Sequence, residues 1–116
     1  MAYDTYQEER INRILNEKGI NYSSKKMMGG LCYMLDDKML CGLVKSQLMA
    51  RIGTDAYEEA LSKEHVSEMN FTGRSMKGYV YIDEAGLDMD EDLAYWIQKC
   101  LDFNPLAKSS KKKKKS

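Results

Sequence analysis

The sequence has few of the residues on which most catalytic and metal sites depend. Its 116 residues include one histidine, His65, and three cysteines, Cys32, Cys41 and Cys100. A base that activates a serine or cysteine needs that nucleophile and an orienting partner, and no local signature supplies them. The four residues also lack the short paired spacing of zinc sites. We therefore expect no enzyme activity, no metal site and no cofactor, with His65 solvated in a loop.

Long hydrophobic runs are also missing. The longest, such as Leu31 to Leu35, cover a few residues, whereas a membrane-spanning helix needs about 20. The amino terminus carries Asp4, Glu8 and Glu9, where a signal peptide needs an apolar stretch. We therefore expect a cytoplasmic protein with no membrane partner.

Acidic side chains are missing from one end of the chain. The totals balance at 18 basic and 18 acidic residues. Residues 106–116, however, hold six lysines, Lys108 and Lys111 to Lys115, and no acid, which leaves residues 1–105 with a net negative charge. An acidic body binds nucleic acid poorly, whereas such a tail suffices for weak, salt-sensitive binding. The pattern predicts one domain over 1–105 and a flexible Lys/Ser-rich tail over 106–116.

Hydrophobic periodicity predicts a two-layer α+β domain, an antiparallel sheet with helices, in the order α-β(3)-α-β(2)-α. The predicted elements are a helix over 4–18, strands over 31–35, 39–44 and 48–52, a helix over 55–63, strands over 68–71 and 77–83, and a helix from 88 to 104. In the last strand, Tyr79 and Tyr81 alternate with Val80 and Ile82 and are expected on the opposite face. Residues 72–75 are expected to form a loop.

Capping patterns mark the start of each predicted helix. Asp4 is followed by Gln7, and Asp88 by Glu91, at the spacing of a capping box. Thr54 follows a glycine and is expected to cap the short middle helix.

The cysteines allow a geometric interpretation. If Asp36-Asp37 is the centre of a hairpin turn, Cys32 lies directly opposite Cys41, at a position where cross-strand side chains come closest. A redox-sensitive disulfide between them is one hypothesis. The alternative, which we favour, is a pair of reduced core thiols in a cytoplasmic protein.

Four cations lie beside glycines and strand ends: Lys26, Arg51, Arg74 and Lys77. They either gather into a small anion-binding patch or pair separately with the excess acids of the body, and we favour the second interpretation. Gly29-Gly30 matches no phosphate-binding motif and leads into a strand, where paired glycines more often mark a bulge or close backbone packing.

Methionine is unusually abundant, with nine residues in the chain. Five of them fall in or beside the predicted strands: Met27, Met28, Met34, Met39 and Met49. Adaptable core packing is one explanation, and a methionine-rich face that accommodates a protein partner is the other.

Several strings together resemble the amino-terminal domain of the TfoX/Sxy family, regulators of natural competence genes in bacteria. They are residues 26–30 (KMMGG), 41–42 (CG), 51–53 (RIG), 71–80 (FTGRSMKGYV) and 90–96 (DEDLAYW). The resemblance covers about residues 1–104, and the string from Phe71 to Gly78 is its most specific part. Met28 stands where the family commonly has Phe, and Ser75 where it commonly has Pro.

The resemblance implies the same fold, similar to dimeric secretion chaperones, and a role in transcriptional activation without catalytic residues. Arg51, Arg74 and Lys77 occupy motif positions, where the resemblance implies that the cations either orient the glycine loop through backbone carbonyls or mark a contact surface together with Lys26. The motif glycines are expected to serve structure: Gly29, Gly30, Gly53, Gly73 and Gly78. Full-length competence regulators carry a second, carboxy-terminal domain, whereas this chain has the lysine tail. We therefore expect a stand-alone regulatory domain that acts through a protein partner or as a homodimer. The alternative is a weakly DNA- or RNA-associated protein that uses its tail.

Overall fold

A computed structural model describes residues 4–27, 30–71 and 74–107. The elements follow in the order α1 (Thr5–Glu17), β1 (Ser23–Met27), β2 (Gly30–Leu35), β3 (Lys38–Val44), β4 (Gln47–Arg51), α2 (Tyr57–Leu61), β5 (Val66–Phe71), β6 (Arg74–Ile82) and α3 (Asp90–Phe103). Two short 3-10 turns, Glu84–Leu87 and Asn104–Leu106, flank α3.

The six strands form one antiparallel sheet in the order β1-β2-β3-β4-β6-β5. A single buried core contains side chains from all three helices and from alternate positions of the strands. The predicted α+β class is therefore confirmed. The order is α-β(4)-α-β(2)-α, with one strand more than predicted. The additional strand is β1, which consists mainly of serines and lysines and forms an edge of the sheet. An edge strand without an apolar face gives no periodic signal.

The predicted cap of α1 is confirmed, but the capping box is wrong. The Asp4 carboxylate accepts a hydrogen bond from the Tyr6 amide at 2.9 Å. The Asp4 amide donates to the carbonyl of Lys45, and the Gln7 side chain accepts from Arg10 instead of returning to the cap.

Three other predicted boundaries are wrong. The middle helix is shorter than expected and has Ala56 instead of Thr54 at its N-cap. The N-cap of α3 is Met89 instead of Asp88, and no side chain caps it. The predicted end of the loop at residue 75 is wrong, because Arg74 and Ser75 pair with β5 and belong to β6.

The β2–β3 hairpin corrects the predicted cysteine pairing. Asp36 and Asp37 form the turn, both with positive φ, as the favoured two-residue hairpin turn requires. Leu35 pairs with Lys38 as predicted, but a bulge then shifts the register, so Cys32 lies opposite Gly42.

The bulge has a packing cause. It allows two consecutive residues of β3, Leu40 and Cys41, to lie in the core, which regular alternation forbids. Cys32 is buried but lies outside that core. The two thiols are therefore on opposite faces of the sheet, and a Cys32–Cys41 disulfide does not fit this arrangement.

Candidate binding surface

One face of the sheet packs against the helices, and we call the other the open face. Strand residues that pair directly share a face, and the core residues mark the helix-covered one. Met34 pairs with Met39, and Met49 pairs with Tyr81 across β4 and β6. The residues that register and alternation place on the open face include Lys25, Cys32, Met34, Met39, Gly42, Val44, Gln47, Met49, Arg51, Tyr79 and Tyr81.

The centre of the open face is apolar. Met34, Met39, Met49, Tyr79 and Tyr81 are all partly buried although they lie outside the core. They form an apolar area over which no helix packs among the residues that the structure describes. The structure thus places three of the strand methionines on a face instead of in the core.

Gly42 shapes this surface. A Cβ atom at Gly42 would lie 2.8 Å from the Cε of Met49, which pairs with it on β4. The missing side chain therefore lets Met49 extend flat across β3. The result is a low, continuous surface of flexible side chains, of the kind that adapts to the shape of a partner.

Basic and acidic side chains are distributed unevenly between the sheet and the rest of the body. Among the strand residues that the structure describes, six are basic and only Glu68 is acidic. Glu68 pairs with Val80, a core residue, so it lies on the helix-covered side. The other residues of the body, up to Pro105, hold six basic and seventeen acidic side chains. The sheet is therefore cationic under an acidic helix layer.

Two cations belong to the open face. Lys25 is exposed on β1 and pairs with Cys32. Arg51 pairs with Tyr79 at the end of β4, and its guanidinium carbon lies 5.5 Å from the Tyr79 ring centre and 5.8 Å from that of Phe103 in α3. Arg51 also donates to the carbonyl of Met39 at 3.4 Å.

The four cations singled out in the sequence do not form one cluster. Arg51 and Lys77 lie on the neighbouring strands β4 and β6. Lys26 lies on β1, and two strands separate it from β4, which corresponds to about 14 Å across the sheet. The side chain of Arg74 lies outside the described residues.

Two of the motif glycines meet at the end of β4. Gly53 and Gly78 both have positive φ, and the amides of Ile52 and Gly53 both donate to the Gly78 carbonyl. A Cβ at Gly53 would lie 2.5 Å from the Phe103 ring. These glycines thus allow α3 to approach the strand that carries Arg51.

Of the other three motif glycines, Gly30 lies among the described residues, at the start of β2. A Cβ at Gly30 would lie 2.6 Å from the Leu43 carbonyl oxygen, so this position serves close packing of β2 on β3. Gly29 and Gly73 lie outside the described residues.

The three cysteines are free thiols and all are buried. A hydrogen bond with Cys100, together with burial, raises the pKa of Cys41 well above its ordinary value. Burial also raises the pKa of Cys32, and the nearby Lys25 offsets this in part. A buried thiol whose pKa is raised is a poor nucleophile.

His65 lies in the turn before β5 and is exposed. Its Nδ1 is 3.8 Å from a carboxylate oxygen of Asp83, and both side chains are about half exposed. Within residues 4–27, 30–71 and 74–107, no group of three potential metal ligands comes together. No helix in these ranges is long and apolar enough to cross a membrane.

Sequence reasoning named Arg51 and the methionines but missed Lys25 and the tyrosine pair as parts of a surface. Lys25 lies in a strand that the hydrophobic pattern does not reveal. Few acids lie between residues 23 and 54 and between 66 and 82, which indicates a sheet poor in acidic side chains. This pattern can be recognised only when the strand boundaries are known.

A family model described as the TfoX N-terminal domain matches residues 15–104. No curated protein and no solved structure matches the chain. The matched range contains all six strands, α2 and α3, and therefore the whole open face.

Proposed function

The chain belongs to the TfoX N-terminal domain family, and from this membership we propose that it is a cytoplasmic, non-enzymatic regulatory protein. It acts through protein contacts, with a protein partner or with a second copy of itself. The family match over residues 15–104 carries the proposal. The open face supports it, because Met, Tyr and Arg are the residue types enriched where proteins bind one another.

The test is a comparison of transcripts in the host with and without the gene. We expect a defined set of transcripts to change on deletion and to return when the full chain is supplied in trans. An unchanged transcript profile under growth, starvation and DNA-uptake conditions would contradict a regulatory role.

A second candidate is weak association with nucleic acid through the tail, which the six lysines favour. We expect the full chain to bind labelled duplex DNA at about 50 mM salt and to lose most of that binding at about 200 mM, through counterion release. A chain ending at Ala107 retains the buried Ala107 contact and is expected not to bind. Tight binding by this shorter chain would instead make the body a direct DNA-binding regulator.

A further inference from the structure

We propose that the open face is the docking surface for an acidic protein segment that presents apolar side chains. The inference rests on the proposed function, because it specifies which surface makes the protein contact and what chemistry the partner has. The partner is identified here by charge and apolar character alone.

The centre of the open face is apolar and partly buried. Met34, Met39 and Met49 share this face with Tyr79 and Tyr81, and none of the described helices packs over them. Tyrosine and arginine dominate binding energy at interfaces, and methionine adapts its shape to the partner. A partner that inserts aliphatic or aromatic side chains here removes this area from water.

Basic side chains lie on two sides of that apolar centre. Lys25 lies at one side of the open face and Arg51 beside Tyr79 at the other, and neither β strand of the pair β4–β6 carries an acid. Asp36 and Asp37 border one corner, in the β2–β3 turn. A partner with acidic groups between its apolar ones complements the cations within that border.

Two other occupants fit less well. A second copy placed face to face would bring two cationic sheets together, which like-charge repulsion opposes. A single strand of nucleic acid needs free aromatic faces for stacking, whereas the Arg51 guanidinium already lies over Tyr79. The acidic helix layer also repels a polyanion more strongly than it repels a short segment with few charges.

The test begins with a displayed library of random 16-residue peptides, selected on the full chain at about physiological salt. We expect the enriched peptides to be acidic and rich in apolar residues. One enriched peptide is then synthesised with a fluorescent label and titrated against the wild-type chain and its variants.

Lys25 and Lys26 provide a matched pair of variants. They are neighbours on β1, both exposed, and they point to opposite faces of the sheet because Lys25 pairs with Cys32 and Lys26 with Leu31, a core residue. We expect Lys25→Glu to weaken peptide binding about threefold to tenfold, and Lys26→Glu to leave it unchanged. The same charge change on the wrong face thus serves as the control.

A second pair tests the apolar part. We expect Tyr81→Ser to weaken binding about tenfold, whereas Met89→Ser, at an exposed residue before α3, leaves it unchanged. Thermal unfolding of each variant shows whether it folds, and the lysine pair remains informative if Tyr81→Ser does not.

Four results would overturn the inference. The first is enrichment of neutral or basic peptides, and the second is no enrichment at all. The third is an equal loss of peptide affinity with Lys25→Glu and with Lys26→Glu. The fourth is displacement of the peptide by 15-residue oligothymidylate, or by self-association of the chain as measured by sedimentation. Displacement by the oligothymidylate would assign the face to nucleic acid, and displacement by self-association would assign it to a second copy.

Failure of this inference is distinguishable from failure of the proposed function. If gene deletion changes the transcripts and a supplied gene that carries Lys25→Glu restores them fully, the regulatory role stands and the proposed docking surface is wrong. If deletion changes nothing while Lys25→Glu alone impairs peptide binding, the docking surface stands and the regulatory role is wrong.

Discussion

At the scale of single residues, the thiols of Cys41 and Cys100 lie together in the core and the thiol of Cys32 lies on the other face. Because burial and the Cys100 hydrogen bond hold the Cys41 pKa high, we expect iodoacetamide to modify Cys32 first in the native protein. Lys25 lowers the pKa of Cys32 in part, so Lys25→Glu is expected to slow that modification. Peptide mass mapping after timed quenching measures the order, and modification of Cys41 before Cys32 would contradict it.

The raised pKa of Cys41 also predicts a dependence of stability on pH. The folded state keeps this thiol protonated, whereas the unfolded chain ionises it near its ordinary pKa of 9.0. Its contribution is therefore complete below that pH and is lost as pH rises toward the folded pKa. We expect the free energy of unfolding to fall less steeply above pH about 9 for Cys41→Val than for the wild type. Equal slopes in urea titrations at several pH values would contradict this.

Tyr57 has a buried hydroxyl that makes no hydrogen bond among the described residues. A buried polar group without a partner costs free energy that phenylalanine avoids. We expect Tyr57→Phe to leave the free energy of unfolding unchanged or to raise it by about 1 kcal/mol. A loss of similar size in chemical denaturation would show that the hydroxyl has a partner.

At the scale of elements, Arg10 joins α1 to the start of α3. Its guanidinium donates to the Gln7 carboxamide at 2.9 Å and to the Asp90 carboxylate at 3.0 Å, and the side chain is 5% exposed. We expect Arg10→Met to lower the free energy of unfolding by about 2 kcal/mol, because Gln7 and the start of α3 lose a buried donor.

Two variants serve as comparisons for Arg10. Asp90 is 83% exposed, so Asp90→Asn is expected to cost about 0.5 kcal/mol. Arg13, exposed on the same helix, is expected to tolerate methionine within about 0.5 kcal/mol. Urea unfolding monitored by circular dichroism measures all three, and equal effects at Arg10 and Arg13 would contradict the role of Arg10.

The elements also show what sequence patterns reveal. Alternation placed Tyr79 and Tyr81 on one face and Val80 and Ile82 on the other, and the structure confirms this. The same rule failed for Cys32 and Cys41, because a bulge that buries Leu40 beside Cys41 is a response to the tertiary core. The strand Ser23–Met27 was missed because its partner strand, not its own side chains, holds it in the sheet.

At the scale of the whole molecule, basic residues are concentrated in the sheet and acidic residues outside it, and the sequence alone does not reveal this distribution. The acids of the body lie mainly in helices and turns, and the strands hold almost none. Only the strand boundaries and the pairing register reveal that Lys25, Arg51 and the apolar side chains share one face. The anion-binding patch, the less favoured interpretation of the four cations, does not include Lys26, because β2 and β3 separate its strand from β4.

A regulatory contact through the open face is tested by complementation of the gene deletion with Lys25→Glu and, separately, with Lys26→Glu, read as transcript levels at equal protein abundance. We predict that Lys26→Glu restores the wild-type profile and that Lys25→Glu does not. Full restoration by both, or failure of both, would contradict a regulatory contact made through the open face.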